Sequence, residues 1–428
     1  MCIRNGKAVV RILSVVFITV MFLTYGCANT YIALRLYQWL KLLFPQMTPA
    51  TFACIFALIA ASVILGFLPI PSGIKRTISW ISAYWMGIYV YSLIFCLAAD
   101  CIVLLGSLFR IIPGPLPQSV LFFRGLAAFL LTAGVVSYGI FNANQIKIVN
   151  YDITLYDKTP PYINDSDSRQ GVDISQTGDK SDPQPRRNTE PVQKTMKIVL
   201  ISDLHLGAVN SERNLEKVVR RVNSLKPDIV CIAGDVFNGD INALKNPSKA
   251  MDLFLEIEAE YGVYASLGNH DGGKTYDEMV RFLSQSNIKL LNDDYEIIDG
   301  RLVLLGRIDP SPIGGFGDKR RSDIAGILSG TDTESGFYTD LPVVVMDHNP
   351  ANTDQYGSDV DVVLSGHTHR GQVFPGSLIT RAMFSVDYGY RHKTANSPHI
   401  VVTSGAGTWG TPMRVGSNSE VVSIKLSI

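Results

Sequence analysis

Long apolar runs open the chain, at residues 12–34, 51–70, 78–99 and 125–146, and the first of them carries no charge at all. Each is close to the roughly 20 residues that cross a bilayer as a helix. The simplest expectation is four spanning helices within residues 1–145. Trp39, Trp80 and Trp85 stand near run ends, where amphipathic rings suit a membrane interface. Residues 146–155, IKIVNYDITL, alternate as a strand does and would begin a second unit, residues 146–428. Residues 156–195 then turn to Pro, Asp, Ser, Thr, Gln and Arg, a composition that cannot bury enough apolar surface to order itself, so a flexible surface insertion is expected there.

From Met196 the pattern changes to short apolar runs that end in polar residues: MKIVLI, DIVCIAG, GVYASLG, LVLLG, LPVVVM, DVVLSG and HIVVTSG. Leu215, Val218, Val219, Val222 and Leu225 recur at helical spacing between the first two, which predicts at least one strand–helix–strand unit. In such sheets, loops and chemistry converge at the strand ends.

Charge sharpens this division. Lys plus Arg and Asp plus Glu both number 38, yet up to residue 146 nine basic residues (Arg4, Lys7, Arg11, Arg35, Lys41, Lys75, Arg76, Arg110, Arg124) face one acid, Asp100. All seven histidines lie from His205 onward, a segregation that a core role would not produce. Five cysteines lie in the apolar third and Cys231 alone lies beyond it, so no disulfide frames the second unit. With an inside N-terminus, Arg4, Lys7, Arg11, Lys75, Arg76 and Lys147 fall inside against Arg35, Lys41, Arg110 and Arg124 outside. That count favours a multi-pass cell-membrane protein with the second unit on the cytoplasmic side. A leader peptide is the alternative for the first run, with Cys27 after Gly26, though Thr24 and Tyr25 suit such a site poorly. Asp100 admits two readings, an ion path or polar helix contact at membrane depth, or an interfacial residue near the end of the third span.

Five of the later runs end in metal-ligating residue types: Asp203-Leu204-His205, Asp235, Asn269-His270-Asp271, His348-Asn349-Pro350 and His367-Thr368-His369. In an extended segment residues i and i+2 face the same way, so Asp203 with His205, and His367 with His369, could each bring two donors to one face. Imidazole and carboxylate oxygen without thiolate suit Mn, Fe or Zn better than Ca or Mg, and argue against a structural zinc site. One such pair would be weak evidence; the recurrence at successive strand ends is not.

The motifs D-L-H, G-D-V, G-N-H-D, H-N-P and G-H-T-H, in this order, resemble those of the calcineurin-like metallophosphoesterases from about Met196 to the C-terminus. G-H-T-H-R-G-Q and the upstream strand further resemble the bacterial membrane-associated YkuE-like branch. The resemblance implies an α/β domain built as an αββα two-sheet sandwich around a dinuclear centre of two divalent or mixed-valence ions, Mn favoured over Fe or Zn. It implies that Asp203, His205 and His369 hold one ion, Asn269, His348 and His367 the other, and that Asp235 bridges both. It places His270 beside the phosphate as a charge stabiliser or acid, oriented by Asp271. Asp347 departs from the apolar or small residue common before that histidine. Gly234, Gly268 and Gly366 precede ligands where close backbone approach is expected.

Such a centre would hydrolyse phosphate esters by activating water and clamping phosphoryl oxygens. The candidate substrates are a phosphorylated small molecule, a phosphodiester, a lipid phosphate or a lipid pyrophosphate. Arg370, Arg391 and Arg414 are candidates to meet substrate oxygens or else to form structural ion pairs, and Arg370, beside His369, has the best claim. No basic stripe with interleaved aromatics points to nucleic acid. The competing classes are a non-catalytic binding or regulatory member of the fold, and a membrane sensor or transporter with a regulatory phosphoesterase domain.

Overall fold

The computed structural model describes residues 2–66, 68, 70–155, 195–330 and 341–428. The segment read above as a flexible insertion lies, at 156–194, outside the described residues. The chain opens with α1 (Cys2–Leu43), α2 (Pro49–Leu65), α3 (Ser72–Leu108) and α4 (Gln118–Ala143). The strand–helix unit follows in the order β1 (Ile146–Thr154), β2 (Thr195–Ile201), α5 (Glu212–Ser224), β3 (Ile229–Ala233), α6 (Pro247–Leu255), β4 (Val263–Ser266), α7 (Tyr276–Gln285) and β5 (Ile288–Leu290). It continues with β6 (Asp294–Ile298), β7 (Leu302–Gly306), α8 (Ile324–Gly330), β8 (Val343–Met346), β9 (Val362–Ser365), α9 (Gly376–Met383), β10 (Gly389–Arg391), β11 (His399–Val402) and β12 (Ser419–Ser427).

Three of the first four helices, α1, α3 and α4, are long and apolar enough to cross a membrane. Helix α2 has 17 residues, about 25 Å against a hydrocarbon core of about 30 Å, so it falls short of that length. The Thr48 side chain caps its start by accepting from Thr51 N–H, and the helix stops at Gly66 although the apolar run goes on to residue 70. Ile32, Phe56 and Trp85 are buried together in the bundle, with Trp85 donating to the Tyr25 hydroxyl at 3.2 Å. Trp39 and Trp85 therefore point into the bundle and not, as expected, to an interface, while Trp80 is exposed. Asp100 is a polar helix contact. It pairs with Arg35 of α1 at 2.6 Å and Arg124 of α4 at 3.2 Å, and accepts from Tyr31 at 2.7 Å.

The strands make two six-stranded mixed sheets, in the orders β1-β12-β2-β3-β4-β5 and β10-β11-β9-β8-β7-β6. Alternation in β2 sorts its side chains: Ile198 and Leu200 join Val344, Met346, Val362 and Leu364 of the other sheet, whereas Val199 and Ile201 pack under α5, α6 and α7. Leu215, Val218, Val219 and Val222 are the buried stripe of α5, each contributing roughly 2 kcal/mol by leaving water. On the far side, Val303, Val345 and Val363 pack with Ile324 and Ile327 of α8.

The helical unit docks on the sheet unit. Arg76 in the first turns of α3 reaches the Leu244 carbonyl, and Tyr91 further along donates to the Phe374 carbonyl at 3.0 Å. Near the end of α4, Asn142 donates to the Arg414 and Ser417 carbonyls, and the Cα of Gly139 faces Met413 and Val415.

Candidate metal centre

The ends of β2, β3, β4, β8 and β9 converge between the sheets and bring all seven expected ligands together. Two buried groups of carboxylate and imidazole are close enough to hold ions, Asp203 with His205 and His369, and Asp203 with Asp235 and His348. The Asp235 carboxylate lies between them, its Oδ2 3.5 Å from His205 Nε2 and 3.2 Å from His348 Nε2. His369 Nε2 is 3.3 Å from Asp203 Oδ1 and 3.1 Å from His205 Nε2. Asn269 Oδ1 stands 3.2 Å from His348 Nε2 and 3.0 Å from His367 Nδ1.

These donor separations fit metal ions: ligands about 2.1 Å from a common ion sit roughly 3.0–3.4 Å from one another. His348 Nδ1 donates to the Ala233 carbonyl at 2.8 Å, which turns Nε2 toward Asp235 and Asn269. Buried His205 Nδ1 has no hydrogen-bond partner.

The electrostatics divide the imidazoles: burial lowers His205, His367 and His369, whereas at His348 the charge and hydrogen bond of Asp235 outweigh burial and hold it well above the usual range. Burial pushes His205 down to about 3 and His367 to about 4, so both imidazoles are neutral donors. Burial raises Asp203 to about 6, with the Asp235 charge adding to it. Asp235 is buried as well, but the charge and hydrogen bond of His348 outweigh the burial and hold it below the usual carboxylate range. Carboxylates withdrawn from water call for cations to balance them.

The route to convergence differs from simple strand alternation. Asp203, His205, Asp235, His367 and His369 all have left-handed backbones, with φ between 46° and 71°. For residues with a Cβ this conformation is uncommon and clusters at functional sites. His367 and His369 consequently serve different groups, one meeting Asn269 and the other Asp203. A Cβ on Gly268 would collide with the Asp235 carboxylate, and one on Gly366 with Ser202 and Asp203.

His270 stands beside the cage. Its backbone N–H donates to Asp235 Oδ1 at 2.8 Å, its ring lies edge-on to His205 at 5.1 Å and 6.0 Å from Trp409, and burial lowers its pKa. The buried Asp271 carboxylate accepts from the N–H groups of Phe237, Gly268 and Val236, tying together the turns after β3 and β4. Asp347 points away from the ligands, paired with Arg321 at 2.6 Å and the Tyr356 hydroxyl at 2.7 Å. Arg370 lies over the Tyr388 ring at 4.3 Å, and Arg391 donates to the Ser385 carbonyl. Arg414 is fully buried and structural: it donates to the carbonyls of Ser404, Gly405, Gly407 and His369. Ser202, which hydrogen-bonds Asp203 at 2.5 Å, escaped the sequence reading because a serine before a strand-end motif carries no distinctive signal.

A family model described as calcineurin-like phosphoesterase matches residues 196–371. An uncharacterized metallophosphoesterase of Aquifex aeolicus is 32% identical over 237 residues, which cover 55% of this chain and 87% of that protein. The chain belongs to the metallophosphoesterase family. A zebrafish (Danio rerio) transmembrane protein with metallophosphoesterase domain is 26% identical to this metallophosphoesterase over 417 residues, covering 92% of this chain and 80% of that protein. YkuE of Bacillus subtilis, an uncharacterized metallophosphoesterase, is 26% identical over 235 residues, covering 53% of this chain and 77% of its own. The buried Asp/His groups of this metallophosphoesterase are thus consistent with a dinuclear metal site, behind apolar helices suited to a membrane.

Proposed function

We propose that the chain is a multi-pass membrane hydrolase of phosphate esters, working with two divalent or mixed-valence ions; the mixture of oxygen and imidazole donors suits Mn, Fe or Zn, and the family resemblance favours Mn. The observation that carries this reading is the single Asp235 carboxylate shared between His205 and His348. Asp203, His205 and His369 hold one ion, Asn269, His348 and His367 the other, and Asp235 both. When bound, the ion pair supplies an activated water and a clamp on the phosphoryl oxygens. His270, at the edge of the cage, carries a proton to the leaving oxygen, its protonated form favoured by the anionic phosphate. Asp271 orients it by fixing the turn on which both stand, and Arg370 is the candidate contact for substrate oxygens.

The two facing sheets with helices outside support an αββα sandwich over residues 146–428, and the helical unit over 1–145. Tyr37–Phe52 contact at 5.4 Å starts α2 near the far end of α1, and α2 leads into α3, whose first turns touch the sheet unit. This supports α2 as a fourth crossing. Lys75 and Arg76 then lie on the catalytic side, with the N-terminal basic residues, which supports the cytoplasm. The G-H-T-H-R-G-Q segment supports kinship with the YkuE-like branch.

The test is hydrolysis by the Mn-loaded full chain in detergent of p-nitrophenyl phosphate, bis(p-nitrophenyl) phosphate and a lipid pyrophosphate. Turnover of at least one is expected. A chain with two bound ions that hydrolyses none is instead a non-catalytic binding member. His270→Ala is expected to retain its metals and lose about 10²–10³ in kcat.

A further inference from the structure

Helix α9 is amphipathic in the wrong sense for a protein surface. On its inner side Thr380 donates to Asp387 and the Ser377 backbone abuts Gly371, whereas Leu378, Ile379 and Met383 are 57%, 60% and 69% exposed, beside exposed Arg381. Neighbouring Phe374 is 48% exposed as well. Contiguous exposed apolar surface marks a site of contact.

The spanning helices say what covers it. Tyr91 of α3 holds the Phe374 carbonyl, and Gly139 of α4 abuts Val415, whose carbonyl accepts from Phe374 N–H. Beyond Tyr91, α3 runs on to Leu108, about 25 Å, and α4 needs about 32 Å from Gln118 to reach Gly139. Tyr91 and Gly139 both lie within the candidate spans Gly73–Leu108 and Gln118–Ala143, which sets Phe374 and α9 beside it against helices long and apolar enough to cross the bilayer. The same segment carries the metal centre. His369 lies seven positions before Gly376, Thr368 donates to the Asp387 carbonyl, and the Phe384 ring is 5.9 Å from His367. Two more exposed apolar side chains adjoin the cage, Trp409 beside His270 and Ile313, whose N–H donates to the Asn269 carbonyl.

We propose that α9 lies in the near leaflet of the membrane and that the metal centre opens on the bilayer surface, where it takes a phosphate ester carried by a membrane lipid. An interfacial helix of this kind buries its apolar face at the headgroup boundary. The proposal rests on the phosphoesterase reading above and adds the class of substrate.

The test uses the full chain in phosphatidylcholine vesicles. First, an environment-sensitive fluorophore is placed at Ile379→Cys in a chain whose native cysteines are replaced, with Asp359→Cys, exposed before β9, as the control. Blue-shifted emission and quenching by brominated lipids at 379 but not at 359 is expected. Emission from water at both positions overturns the proposal, as does shielding at 379 that appears only with a protein partner or a second copy of the chain. Second, Ile379→Asp is compared with the unaltered chain on phosphatidic acid and phosphatidylglycerol in vesicles and on p-nitrophenyl phosphate and bis(p-nitrophenyl) phosphate in solution. Lipid turnover is expected to fall about tenfold or more and soluble turnover to stay within about twofold. An equal fall on both, or turnover of soluble esters alone, overturns the lipid assignment. A quenched label with no hydrolysis of any ester by the metal-loaded chain refutes the phosphoesterase reading while leaving α9 in the membrane.

Discussion

Arg414 shows how much of the metal centre depends on residues that touch no ion. It is completely buried, and burial pulls its pKa down to about 10, still high enough to keep the guanidinium charged. Its donors end on the carbonyls of the loop from Ser404 to Gly407 and on His369 itself. Replacing it by Met leaves those carbonyls unpaired in the interior, a loss of about 3 kcal/mol or more. Arg414→Met is therefore expected to lower the melting midpoint of the full chain in detergent by roughly 5–10 °C and to weaken metal retention through His369. Unchanged melting would mean that the loop finds other partners. The sequence could offer Arg414 as a cation near the motifs but could not say which way it faced, because its partners lie up to 45 positions away. The residues of the Asp/His/Asn cluster were legible for the opposite reason, since each stands in a short motif at the end of an apolar run. The left-handed backbones of five of them were not, because tertiary packing and not local propensity imposes them.

At the scale of elements, hydrophobic period located the strands and α5 well, since burial on a sheet face or a helix stripe must follow the geometry of the backbone. It overran α2, where the apolar run outlasts the helix: Gly66 ends the element while hydropathy alone continues. The fate of Asp100 was also beyond sequence, as Arg35 and Arg124 approach it only once α1, α3 and α4 pack. Breaking such a cluster from one side leaves two cations without their counterion in the bundle. Asp100→Leu is expected to destabilise the helical unit by about 3 kcal/mol, read as earlier thermal loss of helix signal, with phosphoesterase activity at low temperature unchanged. Removing Arg35 together with Asp100 should recover part of that loss, and a double variant no better than the single one would show that the ion pairs do not hold the bundle.

For the whole molecule, the charge asymmetry between the first third and the remainder sets a helical unit with apolar helices apart from the unit that carries the Asp/His cluster. What it could not convey is how closely the two are joined: α3 runs from Arg76 at Leu244 to Tyr91 at Phe374 along the sheet unit, and α4 ends against the loop that carries Arg414. The catalytic centre is thereby held at a fixed position relative to the apolar helices. The proposed role of Asp235 is one carboxylate joining two ions. The most direct test is the number of ions bound per chain, measured by elemental analysis after equilibration of the full chain with Mn, for the unaltered protein and Asp235→Asn side by side. Two ions in the unaltered chain and one or none in the variant are predicted. No bound ion in the former, or two retained in the latter, would mean that Asp235 does not join two ions.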